Sequence, residues 1–110
     1  MAKIATDLEQ SKKLAEILPI ESADMYYREV SFGFYDLTTH LPDKSIFPYP
    51  KGIEAWSLSA LLNTIPFVTL MKDEDGWYGE CEKGTIASWN TELVDACVEM
   101  IIQLKERGLL

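Results

Sequence analysis

Residues 71–82, Met71 to Glu82, read "MKDEDGWYGECE", and the fold turns on whether this stretch is a calcium loop or a turn between two strands. Asp73, Asp75, Gly76 and Glu82 match four places of the twelve-residue EF-hand template. The template's first ligand position falls on Met71, which has no hard oxygen, and the loop must join two helices. Here "FVTLM" precedes and "WYGEC" follows, both rich in the residue types of strands. Asp75-Gly76 is a strong hairpin signal, since both residues tolerate the positive φ of a type I′ turn. The stretch therefore predicts a β-hairpin and no metal.

Register follows from the loop. A two-residue loop at 75–76 or a four-residue loop at 73–76 puts Val68, Leu70, Trp77 and Cys81 on one face, and Thr69, Met71, Tyr78, Glu80 and Glu82 on the other. A three-residue loop reverses the partners. In the first case Asp73, Glu74, Asp75, Glu80 and Glu82 form one acidic patch that includes Tyr78.

Outward on the C-terminal side, "TIASW" at 85–89 predicts a further strand, and Asn90 or Thr91 is expected to cap a long helix over 91–107. Leu93, Val94, Ala96, Cys97, Met100, Ile101 and Leu104 make its apolar face, which Val98 and Ile102 widen beyond a single stripe. Such a helix is either central or covered by a second subunit, and Val98 and Ile102, at the margin, are the residues expected to meet a partner. Gly108, with Leu109 against Leu104, predicts a Schellman stop.

On the N-terminal side, Ser57 is expected to cap a helix of about two turns, with Trp56 and Leu61 as a hydrophobic staple and Pro66 as its limit. Residues 40–52, "HLPDKSIFPYPKG", read as a surface loop in which Phe47 and Tyr49 are candidate recognition residues. "ADMYYREV" and "SFGFYDLTT" predict two strands broken near Ser31 to Gly33. Thr6 and Glu9 form a capping box for a first helix, with Leu8, Ser11, Leu14, Ala15 and Leu18 on one stripe and Pro19 at its end. The order of elements does not alternate as a parallel sheet requires. The expected fold is thus a single α+β domain over 1–110: an antiparallel sheet of four or five strands, covered by an N-terminal and a long C-terminal helix, with a short middle helix.

The 110 residues carry a net charge of -8. That disfavours direct binding to nucleic acid or an anionic membrane, both of which need clustered Lys and Arg. Residues 67–110 hold nine of the eighteen acids but four of the ten bases. The two cysteines, Cys81 and Cys97, and the single His40 lack zinc-site spacing. The uncharged window at 55–71 is short and broken by polar residues and Pro66, so no membrane span is expected. "MAKIATDLEQ" lacks a hydrophobic signal core, which makes a cytoplasmic protein with reduced thiols the expectation.

The segments "TDLEQSKKLAEILP", "SADMYY", "AWSLSALL" and "DACVEMIIQLKERGLL" resemble an uncharacterised family of short intracellular proteins of gut bacteria, often encoded in prophage or other mobile-element regions. The resemblance implies a bacterial origin. It supplies no activity, cofactor or catalytic residue.

Function is therefore weighed on residues alone. The preferred expectation is a small non-enzymatic protein-interaction module that uses an unidentified protein partner or a second copy of itself, with no cofactor. One alternative is an acidic charge mimic that inhibits a nucleic-acid-binding protein through Asp73, Glu74, Asp75, Glu80 and Glu82. Another is a small-ligand-binding domain with an aromatic pocket drawn from Tyr26, Phe34, Tyr35 and Trp56. An enzyme would need His40 beside Asp36 or Asp43, and a solvated loop histidine is the simpler reading.

Overall fold

The computed structural model describes residues 3–39, 52–66, 68–81 and 86–110. In chain order its elements are helix α1 (Leu8–Ala15), a 3-10 turn (Ile20–Ser22), strands β1 (Met25–Ser31), β2 (Phe34–Thr38) and β3 (Gly52–Ala55), helix α2 (Leu58–Thr64), strands β4 (Thr69–Lys72), β5 (Trp77–Cys81) and β6 (Ile86–Asn90), and helix α3 (Leu93–Glu106). The fold is α+β, and every strand pair is antiparallel. The single sheet of four or five strands is corrected to two sheets of three, ordered β2-β1-β3 and β4-β5-β6.

Strand β3 accounts for part of the difference. Its four residues are too few for a legible alternation, and the loop expected over 40–52 takes in Gly52. A Cβ at Gly52 would stand 2.3 Å from both Tyr26 Cε2 and the Tyr27 carbonyl oxygen, so the strand docks on β1 only because glycine leaves room. The two strands expected on either side of Ser31 to Gly33 form and pair as an antiparallel hairpin, with Gly33 at a φ of 79° in its tip.

α1 begins one residue later than its sequence suggests. Asp7 Oδ1 accepts from the Gln10 amide at 2.8 Å, and Gln10 Oε1 accepts from the Asp7 amide at 3.1 Å. The Thr6–Glu9 capping box is thus replaced by Asp7 and Gln10, because Thr6 is committed elsewhere. Its buried hydroxyl shares a 2.8 Å hydrogen bond with Ser11 and accepts from the Trp56 amide at 3.2 Å. The Thr6 amide donates in turn to the Trp56 carbonyl at 3.0 Å, tying the N-terminal segment to the entry of α2. Ser57 caps α2 as expected, with its hydroxyl accepting from the Ala60 amide, and Ile65 before Pro66 is extended.

α3 lies at the centre. It packs on β5 and β6 along one side and on α2 along another, and Leu14, Trp56, Leu61, Ile86, Met100, Ile101 and Leu104 are all fully buried in the resulting core. Gly79 admits it to the sheet, since a Cβ there would lie 2.6 Å from Met100 Cε. Its polar positions also serve the sheet: Glu99 accepts from the Ser88 hydroxyl at 2.5 Å and from Asn90 Nδ2 at 3.2 Å, and Gln103 donates to the Ala87 carbonyl at 2.8 Å. The wide apolar girth is explained by neighbours within the chain. Val98, expected at an exposed margin, is 3 % exposed and belongs to the core, while Ile102 is half-buried against it. At the N-terminus of α3, Glu92 occupies the cap position without a side-chain capping bond, and Asn90 Oδ1 accepts from the Glu92 amide instead. The helix ends in the expected Schellman geometry, with the Leu109 amide donating to the Leu104 carbonyl at 2.8 Å and Gly108 at a φ of 71°.

The second hairpin has a four-residue loop, 73–76, and the register Thr69↔Glu80, Leu70↔Gly79, Met71↔Tyr78, Lys72↔Trp77. Gly76 does not take the positive φ of a type I′ turn. It is needed for close approach: a Cβ would lie 2.5 Å from the Asn90 carbonyl oxygen and 3.0 Å from Thr91 Cα. Gly76→Ala is therefore expected to push the turn off the β6–α3 junction at a cost of roughly 1–3 kcal/mol, the usual range for overpacking. Urea unfolding followed by circular dichroism would measure it, and an unchanged midpoint would show that the junction yields freely.

Candidate functional site

The β4-β5-β6 sheet has two unlike faces because side chains alternate along each strand. The inner face meets α3. On the outer face the register aligns Met71, Tyr78 and Trp89 in one cross-strand row, with Thr69, Glu80 and Ala87 in the next. Met71 is 51 % and Trp89 48 % exposed, and Tyr78 is half-buried. Large apolar side chains on neighbouring strands are ordinarily turned to a core, so a row of three facing outward is informative.

Both aromatic rings are held at their polar tips. Trp89 Nε1 donates to Asp73 Oδ2 at 3.3 Å, and the Tyr78 hydroxyl donates to Glu80 Oε2 at 3.0 Å. Asp73 Oδ1 accepts from the Asp75 and Gly76 amides, each at 2.8 Å, so one carboxylate shapes the turn and orients the indole. The Asp75 amide, then the Gly76 amide and the indole, hold the Asp73 carboxyl below its ordinary value, while the Glu80 carboxylate accepting from Tyr78 raises the phenol's pKa.

A depressed carboxyl pKa adds stability above the unfolded-state value of 3.8 that is lost as pH falls through the folded-state value. The Trp89 indole N–H resonance should therefore shift on acidification with a midpoint below 3.8, and Asp73→Ala should abolish that step. A midpoint at or above 3.8 would show that the turn amides and the indole do not stabilise the carboxylate, and a resonance indifferent to Asp73→Ala would show that the carboxylate does not hold the ring.

Of the residues singled out from sequence, Asp73, Tyr78 and Glu80 meet on this outer surface, and Glu74 and Asp75 are exposed at its turn. An open cavity of about 360 Å³ adjoins the turn, lined by Lys72, Asp73, Glu74, Asp75, Gly76, Trp77, Thr91 and Glu92. Phe47, Tyr49 and Glu82 lie outside the described residues, as does His40. Tyr26 and Trp56, offered for an aromatic pocket, are core residues, and Phe34 is 69 % exposed at the first hairpin. The sequence reading missed Trp89, although its alternation with Ser88 and its strand position carried the signal once β6 pairs with β5. It also missed the exposed Val30 and Phe32 beside Phe34.

Other polar groups serve the fold. Lys3 Nζ bonds to Asp95 at 2.7 Å and to Asp7 at 3.2 Å, joining the N-terminal segment to α3. The Ser57 hydroxyl donates to Asp24 while it caps α2. Cys81 and Cys97 are buried, and burial pushes the Cys97 pKa up to about 11. Among the described residues no three His, Cys, Asp or Glu side chains gather as a metal site, and no helix is long and apolar enough to cross a membrane. No family model, curated protein or solved structure matches this chain.

Proposed function

We propose that this chain is a non-enzymatic protein-interaction module that receives its partner on the outer face of the β4-β5-β6 sheet. The observation that carries the reading is the outward-facing row Met71, Tyr78 and Trp89, whose two rings are held by the Asp73 and Glu80 carboxylates. Trp and Tyr dominate binding energy at protein interfaces, and rings already fixed lose little freedom on contact. A partner protein is preferred to a second copy, because Val98 is buried within its own chain and two copies of this acidic face would repel. A charge mimic of nucleic acid is less supported, since Met71, Tyr78 and Trp89 interrupt the carboxylates that would have to form a continuous strip. The resemblance of the helical segments supports a bacterial, mobile-element origin.

The test places a photocrosslinking residue at Met71 and, as a control, at Glu106, in cells that encode the protein. A defined adduct from position 71 that is absent from position 106 and lost in Trp89→Ser supports the outer face. Equal labelling from both positions, or an adduct indifferent to Trp89, overturns it.

A further inference from the structure

We infer that the partner presents an arginine-bearing basic segment, whose guanidinium stacks on Trp89 and Tyr78 between the carboxylates of Asp73 and Glu80. This rests on the reading of the outer face as the docking surface and names the chemistry of its occupant. The face combines two features that are separately common and jointly selective. Its aromatic rings offer electron-rich faces to a cation, and its charged neighbours are acidic on both flanks of the row.

Among the described residues no lysine pairs with either carboxylate: Lys72, next to Asp73 in sequence, belongs to the opposite face, where its Nζ lies 5.5 Å from the Trp77 ring centre. Asp73 already accepts from the indole at Oδ2 and from two turn amides at Oδ1, and Glu80 accepts from the phenol; a carboxylate has room for about four acceptor contacts, so Asp73 Oδ2 and Glu80 can each still take a guanidinium N–H without breaking the tethers. Arginine suits this better than lysine. Its planar fork stacks on a ring and directs N–H groups sideways to oxygens in the same layer, whereas an ammonium is a compact, strongly hydrated charge. From Met71 to Trp89 the row spans two strand spacings, about 10 Å, enough for one guanidinium with its alkyl stem lying on the Met71 thioether. A nucleic acid would be repelled by the same carboxylates, and a second copy would bring like charges together.

The full chain should be titrated with oligo-arginine, oligo-lysine and oligo-glutamate peptides of equal length while the indole and methyl resonances are followed. Oligo-arginine is expected to shift Trp89, Tyr78 and Met71 and leave the buried Trp56 unmoved. Trp89→Leu keeps every charge and should weaken oligo-arginine by roughly tenfold, the size of one cation–π contact. Tyr78→Leu serves as a second variant should Trp89→Leu fold poorly. Glu80→Gln should weaken binding and flatten its dependence on salt. Val30→Ser, on the other sheet, should change nothing. Oligo-arginine and oligo-lysine binding alike, with neither sensitive to Trp89 or Tyr78, would mean that net charge alone attracts them and would overturn the proposal. Concentration-dependent dimerisation that moves the same resonances would overturn it in favour of a second copy. If the crosslink from position 71 persists while oligo-arginine does not bind, the docking face stands and its cationic occupant falls. If neither is seen, both fall.

Discussion

Trp56→Ala is expected to lower stability by about 3–5 kcal/mol, the usual range for removing a large buried aromatic. That is a large part of the roughly 5–15 kcal/mol that holds a small domain together. Trp56 is fully buried where the N-terminal segment, β3 and α2 converge. Its indole N–H donates to the Ser22 hydroxyl at 2.9 Å, while its backbone exchanges hydrogen bonds with Thr6. Alanine keeps the backbone bonds and loses the ring, leaving a cavity among residues of three elements. Trp56→Phe refills most of that volume but gives up the bond to Ser22, so its loss should be smaller. Urea unfolding followed by far-ultraviolet circular dichroism separates the two, and equal losses would show that the hydrogen bond matters more than the ring.

Leu104→Ala should cost about 2–5 kcal/mol, because the side chain is completely buried between α3 and the rest of the core. The same helix provides the comparison. Ile102 is half-buried, and Ile102→Ser should cost less and leave the mass by light scattering unchanged. Val98→Ser should now rank with Leu104→Ala, since Val98 is a core residue. If Ile102→Ser unfolds the chain as badly as Leu104→Ala, the helix is buried around its whole circumference. If it instead changes the mass of the particle, Ile102 takes part in self-association and the outer sheet face is not the only contact surface.

Half of the candidate site was legible from the hairpin. Its alternation and turn residues placed Met71, Tyr78 and Glu80 on one face, and the register bears this out. Trp89 completes the row only because β6 joins β5, and its tether to Asp73 spans sixteen positions of sequence. By sequence alone Asp73 is one charge among several in an acidic patch. Its role in shaping the turn and orienting the indole needs both neighbours in place.

The sequence by itself determined the α+β class, the hairpin at 73–76, the break between β1 and β2, the Ser57 cap, the stop at Gly108 and the order of helices, because each rests on interactions between residues a few positions apart. Tertiary structure decided the rest. Thr6 gave up capping to bond Trp56, Gly52 opened a place for β3 beside β1, and α3 took the centre, where a sheet on one side and helices on the other absorb its wide apolar surface. Local propensity is set by neighbours along the chain, whereas the choice of which strands pair, and which face of a sheet stays uncovered, depends on apolar surface supplied by segments far away in sequence.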